Sequence, residues 1–211
     1  VNGEQSNNDL FSSGAVYLFR FDGSSWAQQA YLKASDTSSA GFFGASVSLS
    51  SNGNLLGVGG YGQNSSSGAA YVYQFDGSDW SEQAYLTASN AESSDYFGNS
   101  VALSPEGNAL LVGALFERSN AIGVNGEQTD NSALASGAAY LFRFDGSLWE
   151  QEFYIKSSNT EATDRFGLSV SLSSNGSRLV ISTVRESSSA TGINGDQSDN
   201  SASRSGAVYV Y

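Results

Sequence analysis

The chain has 211 residues, of which 39% are hydrophobic, and it contains no Cys, no His and no Met. Without Cys there is no disulfide and no thiolate metal site, and without His the commonest general base and transition-metal ligand are missing. The net charge of −12 argues against nucleic acid and anionic membrane surfaces as partners. Since no apolar run approaches the length of a spanning helix, we expect no membrane insertion.

Three short motifs recur along the chain at matched spacings. A Gly-Ala-(Val/Ala)-Tyr block begins at Gly14, Gly68, Gly137 and Gly206, single tryptophans stand at Trp26, Trp80 and Trp149, and Phe-Gly pairs begin at Phe43, Phe97 and Phe166. All three motifs step by 54 and then 69 residues. Matched steps of this size predict a tandem repeat architecture in which one variable loop absorbs the difference.

Each repeat predicts four short strands with little helical periodicity. The first has a period of two, the second is almost continuously apolar, the third is the Gly-Ala-x-Tyr block, and the fourth starts at the tryptophan. Asn-Gly and Asp-Gly pairs predict tight turns because both residues of an Asn-Gly pair tolerate positive φ. In the third repeat, for example, the predicted strands are Gly98–Ser104, Ala109–Ala114, a strand opened by Gly137, and Trp149–Lys156.

Four antiparallel strands per repeat are typical of a β-propeller blade, so the predicted fold class is all-β. The predicted boundaries are a partial blade over 1–42, complete blades over 43–96 and 97–165, and a partial blade over 166–211. This makes about three and a quarter blades, whereas closure needs about four to eight. Together with the missing initiator Met, the count predicts a segment of a larger propeller; assembly of several copies is the alternative.

Aromatic residues are expected to fill the space between blades. Tyr17, Phe19 and Phe21 alternate along one strand and share a face, which predicts core packing. The three tryptophans could stack on sugars if exposed, but we expect them to anchor the fourth strand against the neighbouring blade.

Several of these segments resemble a known repeat. Phe97-Gly98-Asn99-Ser100-Val101, then Leu111 to Ala114, then Gly137 to Tyr140, are similar to the FG-GAP repeat of integrin α-subunit propellers and their bacterial relatives. The resemblance covers essentially the whole chain and implies a propeller fold. Ile181-Ser182-Thr183 departs from the pattern, because Val-Gly-Ala is expected there, and this predicts different packing in that blade.

The loop after the second strand carries the most distinctive polar pattern, with side-chain oxygens at alternate positions around an Asn-Gly pair. Calcium takes six to eight oxygen ligands, so the pattern favours a calcium-stiffened loop, while the alternative is ordinary Asx-turn chemistry. The candidate ligands are Asn125, Glu127, Thr129, Asp130 and Asn131 in one repeat and Asn194, Asp196, Ser198, Asp199 and Asn200 in the next. The calcium hairpin that the family implies, between the first two strands, is too short here to supply such a site.

Acidic residues precede each Phe-Gly pair and are expected to make the same face of the propeller acidic. They are Asp36, Glu92, Asp95, Glu161 and Asp164. A pair of catalytic carboxylates is conceivable there, but no spacing fixes two of them at a defined separation, and nucleophile arrangements lack a histidine base. The sequence therefore predicts a protein that is not an enzyme.

These observations favour an extracellular or cell-surface binding or adhesion module whose inter-strand loops contact a protein or glycan. Two alternatives belong to other classes. One is a structural protein that self-associates through unclosed blade edges, since unpaired edge strands invite pairing. The other is a propeller domain accessory to a larger secreted enzyme. No motif names a ligand.

Overall fold

The computed structural model describes residues 1–211, which form thirteen strands in four antiparallel sheets and one short helical turn, α1 (Gln63–Ser66). The sheets follow each other along the chain as four propeller blades. Blade 1 holds β1 (Val16–Phe21) and β2 (Trp26–Leu32); blade 2 holds β3 (Ser46–Leu49), β4 (Leu55–Gly60), β5 (Ala69–Phe75) and β6 (Trp80–Leu86); blade 3 holds β7 (Phe97–Leu103), β8 (Ala109–Ala114), β9 (Ala138–Phe144) and β10 (Trp149–Ile155); blade 4 holds β11 (Val170–Leu172), β12 (Leu179–Thr183) and β13 (Ala207–Val210).

Within each blade the strands pair in chain order, so every connection joins sheet neighbours. The predicted number and order of strands are confirmed, and most strand ends lie within two residues of the predicted ones. The short hairpins differ from the prediction in one respect. Gly53 has a φ of 70°, but Asn52 is not left-handed; instead its Oδ1 accepts hydrogen bonds from the Asn54 N–H (2.9 Å) and the Ser50 hydroxyl (2.8 Å). Asparagine therefore serves these turns through its side chain.

The apolar core lies between successive blades. Three clusters of buried side chains span the junctions of blades 1 and 2, 2 and 3, and 3 and 4. The expected anchoring role of the tryptophans is confirmed for two of them, because the Nε1–H of Trp80 donates to Gln29 (3.2 Å) and that of Trp149 to Gln83 (2.9 Å), both in the preceding blade. Each complete blade is thus locked to its neighbour by a fourth-strand indole.

The outer face of blade 1 contradicts the prediction that its aromatic residues pack in a core. Tyr17, Phe19 and Phe21 are 49%, 56% and 49% exposed, and Trp26 is 69% exposed. Their counterparts Tyr71, Tyr73, Tyr140 and Phe142 are buried because another sheet covers them. No sheet of this chain lies on that side of blade 1, so the same sequence pattern leaves these rings in solvent.

Backbone-to-backbone approach sets the blade spacing at two glycines of the second strands. A Cβ on Gly59 would lie 2.0 Å from the Gly98 carbonyl oxygen, and one on Gly113 would lie 2.1 Å from that of Gly167. Ser182 occupies the corresponding position in blade 4. A following blade could not approach Ser182 in the geometry used at the other two junctions without the serine Cβ meeting a carbonyl oxygen.

The helical content is confined to one interrupted turn. Asn64 and Ser65, inside α1, have left-handed backbone angles, so the turn is not a continuous helix. No helix of the molecule has the length and apolar character needed to cross a bilayer.

Candidate functional site: an aromatic row along one propeller face

Two sets of loops meet on one face of the blades. The segment that enters each first strand and the segment that leaves each second strand lie at the same end of the sheet, because these two strands are antiparallel neighbours. The expectation that these loops share a face is therefore confirmed.

Four aromatic side chains from these loops form a continuous row across blades 2 and 3, which we call the aromatic row: Phe42, Tyr61, Tyr96 and Phe116. Phe42 and Tyr61 are stacked with ring centroids 4.8 Å apart and planes 10° apart. Tyr61 and Tyr96 are 5.2 Å apart, and Tyr96 meets Phe116 edge-on at 4.8 Å. Aromatic pairs at these distances contribute roughly 0.5–1.5 kcal/mol each beyond their buried area. The row is thus held in place by its own contacts before any ligand arrives.

Two members of the aromatic row have a strained backbone. Phe42 and Tyr96 have φ values of 51° and 61°, a left-handed region that bulky side chains rarely adopt. Their N–H groups donate to Ser12 and Ser66 of the preceding blade, each at 3.0 Å, which fixes the conformation. Strain of this kind costs on the order of 1–3 kcal/mol and clusters at ligand-binding sites. The strained backbone of Phe42 and Tyr96 therefore lowers the stability of the junction while it places their rings on the loop face of the blades.

The row continues into blade 4 as a group of arginines. Arg165 stands directly before Phe166, as Tyr96 stands before Phe97, and also has a positive φ of 64°. Its guanidinium carbon lies 4.9 Å from the Phe116 ring centroid, which is a cation–π contact. Partial burial, together with the nearby charges of Arg165 and Arg204, lowers the pKa of Arg185. We call Arg165, Arg185 and Arg204 the arginine end of the row.

The expected acidity of this face is only partly borne out by the placement of the carboxylates. Asp95 and Asp164 are buried, at 3% and 4% exposure, and their Oδ2 atoms accept the N–H groups of Glu92 and Glu161. Burial raises the pKa of each aspartate to about 6. Asp36 accepts the Tyr71 hydroxyl at 2.5 Å. Only Glu92 and Glu161 of the five carboxylates point into solvent as expected, because the aspartates are occupied in holding the loops together.

The proposed calcium loops run along the outer edge of the blades. In blade 3, the N–H of Asn125 donates to the Tyr154 carbonyl (2.8 Å) and its Oδ1 accepts the Tyr154 N–H (3.0 Å). Asn2 makes the same pair of bonds with Tyr31 in blade 1. Each asparagine thus pins its loop to the outermost strand. Asn194, the third copy, belongs to blade 4, which has three strands in this chain.

The carboxylates of these loops accept hydrogen bonds from backbone N–H groups and from hydroxyls of the same loops. Glu127 accepts the Thr129 N–H, Asp130 the Ser132 N–H, Asp196 the Ser198 N–H and Asp199 the Ser201 N–H, all at 2.9 Å. Hydrogen bonds lower the pKa of Glu127, Asp196 and Asp199, chiefly the bond from the Ser198 hydroxyl to Asp196, that from the Ser189 hydroxyl to Asp199 and that from the Thr129 N–H to Glu127. Asn131 and Asn200 donate to Glu92 and Glu161, both at 2.7 Å. No three or more acidic side chains converge as a metal-binding group, so the loops make Asx-type turns and the calcium site stays a prediction.

The aromatic row escaped the sequence analysis although the repeats contain a signal for it. The residue before each Phe-Gly pair is Phe42, Tyr96 or Arg165, so aligning the three copies places two rings and a guanidinium in one register. The contributions of Tyr61 and Phe116 could not be read in this way, because they stand one and two residues after their second strands.

Among the comparisons with known proteins, one identifies a repeat family. A model of the FG-GAP repeat matches residues 26–73, 80–142 and 149–211. No curated protein matches the sequence. Among solved structures, the chain is similar to TolB from Acinetobacter baumannii, with 11% identity, 86% of this chain and 40% of that chain covered, and a TM-score of 0.41. It is also similar to a 6-phosphogluconolactonase candidate from Bacteroides uniformis, with 12% identity, 81% and 57% covered, and a TM-score of 0.37. The chain therefore spans 40% and 57% of the lengths of these two structures.

Proposed function

The chain belongs to the FG-GAP repeat family, and from that premise we propose that it is a non-enzymatic, extracellular binding or adhesion module whose ligand is a protein that docks on the aromatic row. The observation that carries the proposal is the row itself: one exposed and three half-buried rings in contact along one face, continued by arginines.

The composition of this surface supports a protein ligand. Protein interfaces are enriched in aromatic residues and Arg and depleted in Lys, Glu and Asp at their centres, and binding energy concentrates in such residues. The row offers Phe, Tyr and Arg side chains, while the nearby Asp95 and Asp164 are buried out of reach. Its rings are ordered by packing and backbone bonds, which reduces the entropy that binding must overcome.

The proposal is tested by measuring binding to a panel of purified extracellular matrix proteins and polysaccharides. We expect at least one matrix protein to bind wild type, and the Tyr61→Ala, Tyr96→Ala variant to lose about tenfold or more in affinity, since hot-spot truncations cost about 2 kcal/mol or more. Trp26→Ala, which removes an exposed ring elsewhere, serves as the matched control and is expected to bind normally. If the Tyr61→Ala, Tyr96→Ala variant binds as tightly as wild type, the aromatic row is not the docking surface.

Calcium stiffening of the outer loops is a separate part of the proposal. An ion that binds only the folded chain raises its stability, by about 2.7 kcal/mol at a hundredfold excess over the dissociation constant. We expect the unfolding midpoint to rise in calcium relative to chelator, and the shift to vanish in the Asp196→Ala, Asp199→Ala variant. Identical melting curves in calcium and chelator would leave the loops as turns held by their own hydrogen bonds.

A further inference from the structure

The arginine end of the aromatic row is a concentration of positive charge in a chain of net charge −12. The Arg185 N–H donates to the Asp164 carbonyl at 3.2 Å, which places Arg185 beside Arg165, and the charges of Arg165 and Arg204 act on Arg185. Arg165 also lies over the Phe116 ring. The chain has nine basic residues and two ion pairs, Arg143 with Glu152 and Lys156 with Glu117. None of the three arginines takes part in either pair, so the cluster has no counter-charge in contact within the chain.

One hydrogen-bond donor at this end is also left without a partner. The Nε atom of Arg165 is buried and makes no hydrogen bond. An unsatisfied buried donor costs about 1–3 kcal/mol, more for a charged group. The carboxyl of Asp164, the residue before Arg165, does not accept this donor, and its Oδ2 accepts the Glu161 N–H at 3.0 Å instead. The Arg165 guanidinium is therefore held in place although its Nε–H donates to no group of the protein.

We propose that the arginine end binds the carboxylates of a short acidic segment in the partner protein. Recognition of acidic motifs by arginine clusters is a recurring binding mode, since the planar guanidinium offers paired donors that match a carboxylate. The adjoining rings of Tyr96 and Phe116 would receive apolar side chains of the same segment. The inference rests on the proposed function, because it assigns the chemistry of the ligand that the row receives.

The overall charge restricts what kind of anion can bind. A long polyanion such as nucleic acid would meet the repulsion of the rest of the surface, because its affinity depends on many neutralised phosphates. A short segment with a few carboxylates can place them beside the arginines, where charges more than about 10 Å away are largely screened at moderate salt. A compact acidic motif flanked by apolar residues therefore fits this site best.

The test is a titration of the whole chain, followed by the Nε–H signals of the arginines in a nitrogen–proton correlation spectrum. The probe is a peptide in which glutamates flank one leucine, and the matched control peptide carries glutamines in their place. We expect the glutamate peptide alone to shift the Arg165 and Arg185 signals. The Arg165→Gln, Arg185→Gln variant is expected to lose about tenfold or more in affinity, whereas Arg20→Gln, which removes an exposed arginine of blade 1, binds as wild type.

Each other outcome overturns a stated part of the account. Equal shifts with both peptides, no shift with either, or full affinity of the Arg165→Gln, Arg185→Gln variant would overturn the acidic-segment inference. If an oligomer of galacturonic acid shifts the same signals and the peptide does not, the ligand is an acidic carbohydrate and the peptide assignment is wrong. If the arginine variant loses binding while Tyr61→Ala, Tyr96→Ala retains it, the inference stands and the aromatic row is not the docking surface. Thermal unfolding of each variant establishes that it is folded.

Discussion

Two junctions of the propeller differ in their polar residues: the junction of blades 1 and 2 and the junction of blades 2 and 3. In the second junction, Lys156 is fully buried and donates to Glu117 Oε2 at 2.8 Å, while Asn90 donates to Glu117 Oε1 at 3.0 Å. In the first junction the corresponding residues are Thr87, Gln63 and Asp36. Lysine, glutamate and asparagine are thus replaced together by threonine, glutamine and aspartate.

One hydrogen bond is kept in both places. A third-strand tyrosine donates to the Asx side chain of the preceding blade: Tyr71 to Asp36 at 2.5 Å and Tyr140 to Asn90 at 2.7 Å. Tyr209 bonds to Asn159 in the same way at the junction of blades 3 and 4. The comparison shows that the tyrosine bond is common to the junctions, whereas the buried polar residues around it differ as a set.

Removing one member of the buried pair should have the largest effect. In the Lys156→Met variant, Glu117 keeps its charge in a buried site without its cation, so we expect the free energy of unfolding to fall by about 3–5 kcal/mol. Lys33 is the matching lysine of blade 1, and it donates to Ser13 and Gly14 rather than to a carboxylate. Because Lys33→Met leaves no carboxylate without its partner, it should lower the free energy of unfolding by only about 1 kcal/mol. Denaturant unfolding measures both.

The set-wise replacement supplies the decisive control for that prediction. The variant Asn90→Asp, Glu117→Gln, Lys156→Thr gives the second junction the residues of the first, and it should be more stable than Lys156→Met alone by about 0.5–3 kcal/mol. A triple variant as unstable as the single substitution would show that the ion pair itself, rather than matched replacement, is required.

A smaller effect is expected from the second-strand glycine contacts, which lie at the junction of blades 2 and 3 and at that of blades 3 and 4. Gly113→Ser places a Cβ against the Gly167 carbonyl oxygen and should cost about 1–3 kcal/mol, the usual range for overpacking. Ser182→Gly, at the matching position of blade 4 where no sheet of this chain follows, should change stability by less than about 1 kcal/mol. Similar losses in the two variants, measured by thermal unfolding, would contradict the close-approach argument.

The acidity of the loops should distinguish the junctions through pH. Asp95 and Asp164 have pKa values near 6, above the ordinary 3.8, and Gly41 stands at the corresponding position of the first junction. Between these values the folded chain binds more protons than the unfolded chain, so each aspartate favours folding at low pH, and that contribution is lost as pH rises from about 4 to about 6.

The expected size of this effect is on the order of 1–2 kcal/mol for each aspartate. Asp95→Asn, Asp164→Asn should flatten that part of the pH profile in denaturant titrations. Asp22→Asn, which alters an exposed turn aspartate of blade 1, should leave it unchanged. A steep fall that persists in Asp95→Asn, Asp164→Asn would assign the pH dependence to other groups.

The strands could be predicted because the chain contains repeats: four copies of Gly-Ala-x-Tyr and three of Phe-Gly mark the strand boundaries independently. It was harder to predict which side chains are buried by contacts between blades. Tyr17 and Tyr71 occupy the same position of the Gly-Ala-x-Tyr block, yet one is half-exposed and the other buried, since a neighbouring sheet decides burial. Asp95 was expected at the surface and is buried by contacts from another loop. The aromatic row joins residues from four separate loops, and only the three-dimensional stacking of blades brings them together.

The central claim is that ligand binds on the aromatic row, and backbone chemical-shift mapping with a matrix protein selected from the binding panel tests it most directly. The account predicts that the largest shifts fall on Phe42, Tyr61, Tyr96, Phe116 and Arg165. Shifts concentrated on the outer loops 125–131 and 194–200, or on the exposed sheet of blade 1, with the row unperturbed, would contradict it.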